Sequence, residues 1–464
     1  MRIYLDPGSD KIKDYMVQIN KAYSFPRGGI KLSDSSVPPR NSSVTAFLPS
    51  ISIISLNQHS GGQAVPVVSV GDYVKEGMLI GRSSGYLSCN VHASVPGKVI
   101  KIVKWTDSFG QRQEGIVIHM EGSFEKLGRR NEIHSWESMN PYDIQRCISE
   151  HGVVEMEGSG RPVADIISTF RDHVEQTSIV VRCVFDDPWL AADYVLTRER
   201  LNDIIEGAAI AAKSCNASRI IYAVSYKEKE LGILLKNAGF RWGLPVSLVY
   251  FGSRYPQRNK RELELTLRNY EKKEGTKVAS LFILGPATLA AICDAVKFRK
   301  PVLERYVAIG GTAVNNPKIM KLRIGTRIGD IFDECGGFKG KIGKIASGSP
   351  FLGRPVLDLD EPLVKMNFAL FANLSSKLSV SSISAKRKNV QRNCISCGSC
   401  RSVCPVGLDP EEIYKSIFVD EITGSFRTKR AVDCHGCGCC ELVCPSSLPL
   451  STEIISKVTG GIYE

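Results

Sequence analysis

One cysteine pattern occurs twice near the end of this 464-residue sequence and constrains its fold more than any other feature. The pattern is Cys-x-x-Cys-x-x-Cys-x-x-x-Cys-Pro, and its copies span 394–405 and 434–445. Three thiolates at this spacing can hold three corners of an iron–sulfur cubane, and the fourth cysteine, followed by proline, ligates the other cluster in two-cluster ferredoxins. The two copies are therefore expected to fold against each other.

The doubled pattern predicts two 4Fe-4S clusters whose fourth ligands are exchanged. The predicted ligands are Cys394, Cys397, Cys400 and Cys444 for the first cluster, and Cys434, Cys437, Cys440 and Cys404 for the second. Structural zinc favours separated Cys-x-x-Cys pairs, and disulfide frameworks are typical of small secreted domains, so both alternatives fit less well. Because neighbouring side chains point apart, we interpret Cys439 as a non-ligand. We interpret His435 as a residue beside the cluster or at the surface.

Composition places the chain among ordinary globular proteins, with 43% hydrophobic and 23% charged residues and room for three or four domains. No run of about eighteen apolar residues could span a membrane as a helix. The first residues, 1–7, lack the apolar core of a signal peptide. Because cluster thiolates also need a reducing environment for assembly, we predict a cytoplasmic location.

The formal net charge of +12 favours acidic partners or an anionic surface. Basic residues are dense around the cysteines: Lys386, Arg387, Lys388, Arg392, Arg401, Lys415, Arg427, Lys429 and Arg430. An alternative is that part of this charge only balances the anionic clusters. Because no motif that reads DNA or RNA accompanies the charge, we predict no nucleic-acid partner.

We predict a multidomain fold of α/β and β units. The units are, in order, an N-terminal extension (1–43), a barrel-sandwich (44–125), a Rossmann-like α/β domain (138–300), a β-grasp or soluble-ligand-binding unit (301–372), a linker (375–393) and an α-helical two-cluster ferredoxin domain (394–464).

Short β runs separated by glycines predict the barrel. This pattern resembles the biotinyl and lipoyl type of barrel-sandwich, in which a carrier domain has a lysine at the central hairpin. Here the hairpin, 86–90, has no lysine, so we predict a structural barrel that is not lipoylated. We interpret His59 and His92 as packing or surface residues and not as ligands.

Alternating strands and helices predict a layered α/β domain with a largely parallel sheet. The predicted strands are 178–182, 219–224, 245–251 and 277–284, and the predicted helices include 191–215 and 227–238. The charged stretch 254–273 is predicted to be an exposed helix. Asp409 and Pro410 supply an N-cap and a first-turn proline, which predicts a helix between the two cysteine runs.

The order of these units, with their motifs, resembles the RnfC subunit of the Rnf-type electron-transport complex. It is more distantly similar to the NADH-binding flavoprotein subunit of respiratory complex I. The matching pieces include 26–30, Gly71-Asp72, Tyr255-Pro256-Gln257, 348–353 and the doubled cysteine motif. The resemblance implies a peripheral protein on the cytoplasmic side of the cell inner membrane. It also implies exchange of electrons with NADH through FMN and with a ferredoxin, while the complex moves Na⁺ or H⁺.

Four loops depart from the family's flavin and nucleotide pattern. The departing residues are Glu155 and Glu157 in the glycine-rich loop, Arg182 and Phe185 in the next motif, Gly285 in place of an asparagine, and Arg258 in place of a glycine. Glycine lets the backbone approach a flavin closely, whereas carboxylates add bulk and repel phosphate. We therefore predict that the FMN and NADH site is impaired, the alternative being drift that left binding intact.

Three hypotheses about function follow. The leading one is an electron-transfer subunit of an Rnf-type ion-translocating oxidoreductase, in which two clusters pass single electrons. The second is a subunit with an active pocket, in which NADH reduces FMN and the clusters accept electrons from the reduced flavin one at a time. The third is a docking scaffold. It fits the sequence less well, because a scaffold would not need eight cysteines at the spacing of cluster ligands. The expected partners are other subunits of a membrane complex and either an acidic carrier, such as a ferredoxin or flavodoxin, or NADH.

Overall fold

The computed structural model describes residues 21–33, 35–85, 87–107, 110–124, 132–171, 176–275, 280–350, 353–375, 391–418 and 430–458. Several sequence predictions lie outside these residues: most of the linker, the start of the strand predicted at 277–284, the first half of the N-terminal extension, and the basic residues Lys386, Arg387, Lys388, Arg427 and Lys429. Within the described residues, no helix is long and apolar enough to cross a membrane.

Eight short strands come first in the described chain. They are β1 (Val44–Thr45), β2 (Ile51–Ser55), β3 (Val65–Pro66), β4 (Tyr73–Val74), β5 (Leu79–Arg82), β6 (Val91–His92), β7 (Gly97–Thr106) and β8 (Arg112–Met120). All but β1 form two antiparallel sheets, in the orders β2-β8-β7-β4 and β3-β5-β6. Alternate residues of these strands, among them Ile54, Ile80 and Ile116, are fully buried between the sheets, which gives the barrel its core.

A four-stranded sheet forms the centre of the α/β domain. Its strands are β9 (Thr177–Cys183), β10 (Arg219–Ser225), β11 (Val246–Phe251) and β12 (Ser280–Leu284), in the order β11-β10-β9-β12. Every pairing is parallel, so the predicted largely parallel sheet is confirmed. The strands are buried on both faces by helices, which explains why they read as continuous apolar runs in the sequence.

Seven described helices flank this sheet: α1 (Pro141–Glu150), α2 (Val163–Arg171), α3 (Ala191–Glu199), α4 (Leu201–Ser214), α5 (Lys229–Gly239), α6 (Lys260–Lys273) and α7 (Pro286–Lys297). The single helix predicted at 191–215 is two helices that meet at Arg200. The Arg200 guanidinium donates to Asp203 at 2.8 Å and to Asp294 at 2.7 Å, which fixes the junction against α7. Helical periodicity in the sequence cannot show such a contact, so the break at Arg200 was not predicted.

The helix predicted at 254–273 is shorter and more buried than expected. It begins at Lys260, and residues before it form a turn that contains the cis bond between Tyr255 and Pro256. Leu263 and Leu267 are fully buried against the sheet together with the carboxylate-bearing Glu271. The prediction of an exposed helix was therefore wrong for one of its faces.

The next unit is a mixed six-stranded sheet. Its strands are β13 (Glu304–Gly310), β14 (Lys318–Arg323), β15 (Ile342–Ser347), β16 (Arg354–Pro355) and β17 (Ala369–Leu374), joined by β1. The order is β1-β14-β13-β17-β15-β16, and α8 (Ile328–Glu334) packs on it through Ile331 and Phe332. Because β1 pairs in parallel with β14, the first strand belongs to this sheet and not to the barrel.

The described C-terminal residues contain four short α-helices, α9 (Ser399–Val403), α10 (Pro410–Phe418), α11 (Cys439–Val443) and α12 (Leu450–Val458), and a 3-10 turn at Arg430–Asp433. The helix predicted to begin at Asp409 is confirmed as α10. The Asp409 carboxylate accepts the N–H of Glu412 at 3.5 Å, as an N-cap residue does. Helix α9 packs on α11, and α10 packs on α12, so the two cysteine runs form a paired arrangement.

We predict that Gly207→Ala destabilises the α/β domain. A Cβ at Gly207 would lie 2.0 Å from the carbonyl oxygen of Leu289, where α4 crosses α7. Because both backbones are held by their own helices, the pair must separate, at a cost of about 1–3 kcal/mol. The measurement is the thermal unfolding midpoint, with Asn202→Ala on the exposed side of the same helix as the control. Equal midpoints for the two variants would contradict the prediction.

Candidate iron–sulfur sites and the adjoining cavity

Two small cavities in the C-terminal unit are lined by cysteines. The first is lined by Cys394, Cys397, Cys400 and Cys444, and the second by Cys404, Cys434, Cys437, Cys439 and Cys440. Each cavity thus receives the first three motif cysteines of one run and the fourth cysteine of the other, and the second cavity also receives Cys439. Thiolates are the ligands of 4Fe-4S clusters, so the donor set at both cavities fits such a group.

The backbone before each short helix takes the same turn. Gly398 and Gly438 precede α9 and α11 in the left-handed region, with φ of +69° and +74°. Glycine adopts this conformation without the steric cost that a Cβ would bring. The repeated turn lets the chain curl around each cavity between the second and third cysteines of a run.

The two sets of thiols differ in exposure. Cys397 is exposed, and Cys394 and Cys444 are half-buried, whereas three of the four predicted ligands in the second set are buried. Within the described residues, no group of three or more Cys, His, Asp or Glu side chains is placed to hold a single metal ion. A single-ion site needs ligands within about 2.3 Å of one centre, whereas thiols around a cluster are spread over its corners.

Cys439 lines the second cavity, which its position next to Cys440 did not predict. Its side chain is fully buried, and it hydrogen-bonds the Cys437 sulfur. That hydrogen bond, aided by His435 and opposed by burial, lowers the pKa of Cys437. The surroundings of Cys437 therefore favour the thiolate, which is the form of cysteine that a metal ligand must take.

A segment near the start of the chain, residues 23–30, lies between the α/β domain and the C-terminal unit; we call it the N-terminal strap. Tyr23 forms a parallel bridge with Phe251 at the end of β11. The Arg254 guanidinium donates to the carbonyl oxygen of Gly28 at 2.8 Å. The strap is therefore fixed to the α/β domain at both ends.

The same strap contacts the second set of cysteines. Gly28 has a φ of +64°, and a Cβ on it would lie 2.5 Å from the carbonyl oxygen of Cys404. Beside it, the Tyr255 hydroxyl donates to the carbonyl oxygen of Cys437 at 2.9 Å. In the sequence, Gly28 and Tyr255 stand out only as parts of motifs that match a family. The adjacent glycines, Gly28 and Gly29, were the available signal of a close approach between backbones.

A cavity of about 980 Å³ lies next to the second set of cysteines. Its walls come from the barrel, the α/β domain, the mixed sheet and the C-terminal unit, represented by Trp105, Arg182, Phe368 and His435. Four of the departing residues, Glu155, Glu157, Arg182 and Arg258, line it. Phe185 does not line it and instead packs edge-on against Tyr194, with ring centroids 5.4 Å apart.

The Glu157 side chain ends at the first turn of α7. One carboxylate oxygen, Oε1, accepts the N–H of Ala287 at 2.6 Å and that of Thr288 at 3.0 Å, and the other accepts the Thr288 hydroxyl. The guanidinium groups of Arg182 and Arg258 donate to the Glu157 carbonyl oxygen at 3.1 Å and 3.0 Å. Burial raises the pKa of the Glu157 carboxyl, and nearby Asp193 acts in the same direction.

Three of the structural units match known families. Residues 24–123 match the family model described as RnfC Barrel sandwich hybrid domain, 148–294 match the Nuo51 FMN-binding domain, and 306–347 match the SLBB domain. The fold and these matches define the class of the protein: a multidomain protein that joins a barrel-sandwich, an α/β domain that matches the Nuo51 FMN-binding domain, and an SLBB domain.

Relatives that align over most of the chain specify the family. The chain is 30% identical over 389 residues to the C subunit of the Proton-translocating ferredoxin:NAD(+) oxidoreductase complex of Clostridium ljungdahlii, covering 83% of this chain and 82% of the relative. It is 28% identical to the C subunit of the Na(+)-translocating ferredoxin:NAD(+) oxidoreductase complex of Acetobacterium woodii, covering 79% of this chain and 81% of that one. The chain belongs to the RnfC family of Rnf-type ion-translocating oxidoreductase complexes.

Among solved structures, the NAD+-reducing [NiFe]-hydrogenase in its H2-reduced state matches with a TM-score of 0.49 and 13% identity. The match covers 73% of this chain and 64% of that one, which is less than two thirds of the hydrogenase chain.

We predict that Gly28→Ala damages the second cysteine site more than the first. The added Cβ pushes the strap away from Cys404, which contributes a thiol to the second cavity. After anaerobic reconstitution, iron should fall from about eight to about four per chain. Gly62→Ala is the control, because its Cβ would meet only the flexible Ser84 side chain, at 3.0 Å. Full iron content in the Gly28 variant would show that the strap does not support this site.

Proposed function

We propose that this chain is the electron-transfer subunit of a membrane-bound Rnf-type complex and that it passes single electrons through two 4Fe-4S clusters while the complex moves Na⁺ or H⁺. The observation that carries the proposal is the exchange of fourth cysteines between two cavities. The proposed ligands are Cys394, Cys397, Cys400 and Cys444 for one cluster, and Cys404, Cys434, Cys437 and Cys440 for the other.

The surrounding residues are suited to tuning such centres. The Leu408 N–H donates to the Cys404 sulfur at 3.2 Å, and the Ser396 N–H donates to the Cys394 sulfur at 3.4 Å. Hydrogen bonds to cluster sulfurs and the degree of burial set the reduction potential. The more exposed first set and the more buried second set therefore provide two different environments for the same group.

We further propose a peripheral position on the cytoplasmic face of the membrane, in contact with other subunits of the complex. The net charge of +12 supports docking to an acidic surface or an acidic carrier such as a ferredoxin. Part of the basic charge near the cysteines is already neutralised, however. Arg401 pairs with Asp409, and Lys415 pairs with Glu411. Docking must therefore use basic residues beyond these pairs.

A second candidate is an NADH-oxidising subunit that holds FMN in the α/β domain. The match of residues 148–294 to an FMN-binding domain favours it. The arrangement around Glu157 argues against it, because the donors at the start of α7 already bind that carboxylate. The flavin content of the reconstituted chain separates the two candidates. No specific contact in the described residues favours the scaffold hypothesis.

We predict about eight iron atoms per reconstituted chain, from two cubanes of four. Cys394→Ala and Cys444→Ala should damage the same cluster, although the residues lie in different motifs, and Cys434→Ala should damage the other. Iron, acid-labile sulfide and the electron paramagnetic resonance spectrum of the reduced protein report this. Cys215→Ala, a buried cysteine in the α/β domain, is the control. About four iron atoms in the unaltered chain, or stoichiometric zinc, would refute the assignment.

We predict that high salt or an alkaline wash releases the protein from membranes without detergent. An electrostatic attachment weakens as salt shortens the range of charge–charge attraction. The measurement compares the protein in the wash and in the pellet at low and high salt, with an integral membrane protein of the same complex as the control. Release by detergent alone would indicate an apolar attachment.

A further inference from the structure

The start of α7 has the geometry of an anion site. The helix follows β12 at the carboxyl edge of a parallel sheet, which is where open α/β sheets bind ligands. Its first N–H groups have no partners within the helix, and the helix dipole attracts negative charge there. Phosphate groups of cofactors commonly bind such termini. Here the group that binds these donors is a carboxylate of the chain itself.

The Glu157 side chain fills the space at the start of α7 and leaves no room for a side chain at residue 285. A Cβ at Gly285, the residue before α7, would lie only 2.3 Å from the Glu157 carboxyl carbon. Any larger residue at 285 would therefore displace the carboxylate. The carboxylate of Glu157 can therefore keep this position only while residue 285 is glycine, although the two residues lie far apart in the sequence.

The loop that carries Glu157 is also tied down. The Met156 N–H donates to the Thr288 hydroxyl at 3.0 Å, and that hydroxyl donates to the Glu157 carboxylate. On the other side, Arg182 and Arg258 bind the Glu157 carbonyl oxygen. Expelling the carboxylate would leave the N–H groups of Ala287 and Thr288 without this partner, which costs more than the loss of an ordinary exposed hydrogen bond.

We propose that Glu157 is an internal substitute for the phosphate of a flavin mononucleotide and that it excludes FMN from the α/β domain of this chain. The carboxylate occupies the donors that a phosphate would use and places a negative charge beside any phosphate that approaches. Electrons then reach the cysteine sites from a partner rather than from a flavin held in this domain. The proposal goes beyond the function proposed above and does not depend on the number of clusters.

The test is equilibrium dialysis of the reconstituted full chain against FMN and, separately, riboflavin, which lacks the phosphate. The unaltered chain should bind FMN no more tightly than riboflavin. Glu157→Gly frees the donors of Ala287 and Thr288, so FMN affinity should rise at least about tenfold and exceed that of riboflavin. Flavin is quantified after release from the protein, so the absorbance of the clusters does not interfere.

Glu155→Gln is the matched control, because it removes one negative charge from the same loop without touching α7. Glu155 instead accepts hydrogen bonds from the backbone and hydroxyl of Ser159. An equal gain in FMN affinity in this variant would overturn the proposal, since net charge rather than occupancy would be the cause. If Glu157→Gly does not fold, the comparison of FMN with riboflavin on the unaltered chain still tests whether this chain excludes FMN.

One FMN per unaltered chain, bound more tightly than riboflavin, would overturn this proposal directly. It would leave the electron-transfer function intact, because iron and sulfide are measured on the same sample. Conversely, a sample with no iron and no flavin would refute the proposed clusters and leave the assignment of Glu157 standing. The two proposals can therefore fail independently.

Discussion

The exchange of the fourth cysteine between the two runs is the constraint on which the C-terminal unit depends. Each cavity is closed only when a thiol from the other run reaches it, so neither run can form its site alone. The packing reflects this, since Cys400 and Cys440 lie in one apolar cluster with Tyr414, Leu448 and Leu450. Because much of so small a core consists of the cysteines themselves, binding of the proposed clusters and folding of the unit are expected to be coupled.

This unit is attached to the rest of the chain where the second cavity lies. The Gly29 N–H donates to the Val403 carbonyl oxygen at 2.8 Å, immediately before Cys404. Tyr255 reaches the same set of cysteines from the turn before α6. The more buried cysteines are thus held close to the large cavity, while the more exposed set faces outward. The two cysteine sets thus differ in exposure although the cysteine spacing of the two motifs is the same, and the contacts of Gly29 and Tyr255 are made on the side of the second set.

The sequence was sufficient for features that depend on local spacing. The parallel sheet followed from apolar runs, and α10 followed from the capping residues before it. It was not sufficient for contacts between distant residues. Glu157 was predicted to disturb a flavin site by bulk and charge, but nothing in the sequence showed that its carboxylate reaches α7, more than a hundred residues away. The break at Arg200 was missed for the same reason, because its partner Asp294 is supplied by another helix.

If Glu157 excludes FMN as proposed, its pairing with Gly285 bears on how a cofactor site can be lost. A helix start that has been shaped for a phosphate has donors that are costly to leave unpaired when the phosphate is absent. Simple deletion of ligand contacts would therefore destabilise the domain. An internal carboxylate satisfies the same donors, provided that the residue at 285 leaves room for it. Glycine at 285 and glutamate at 157 thus act together at the start of α7, where the carboxylate satisfies the helix donors beside a cavity that borders the second set of cysteines.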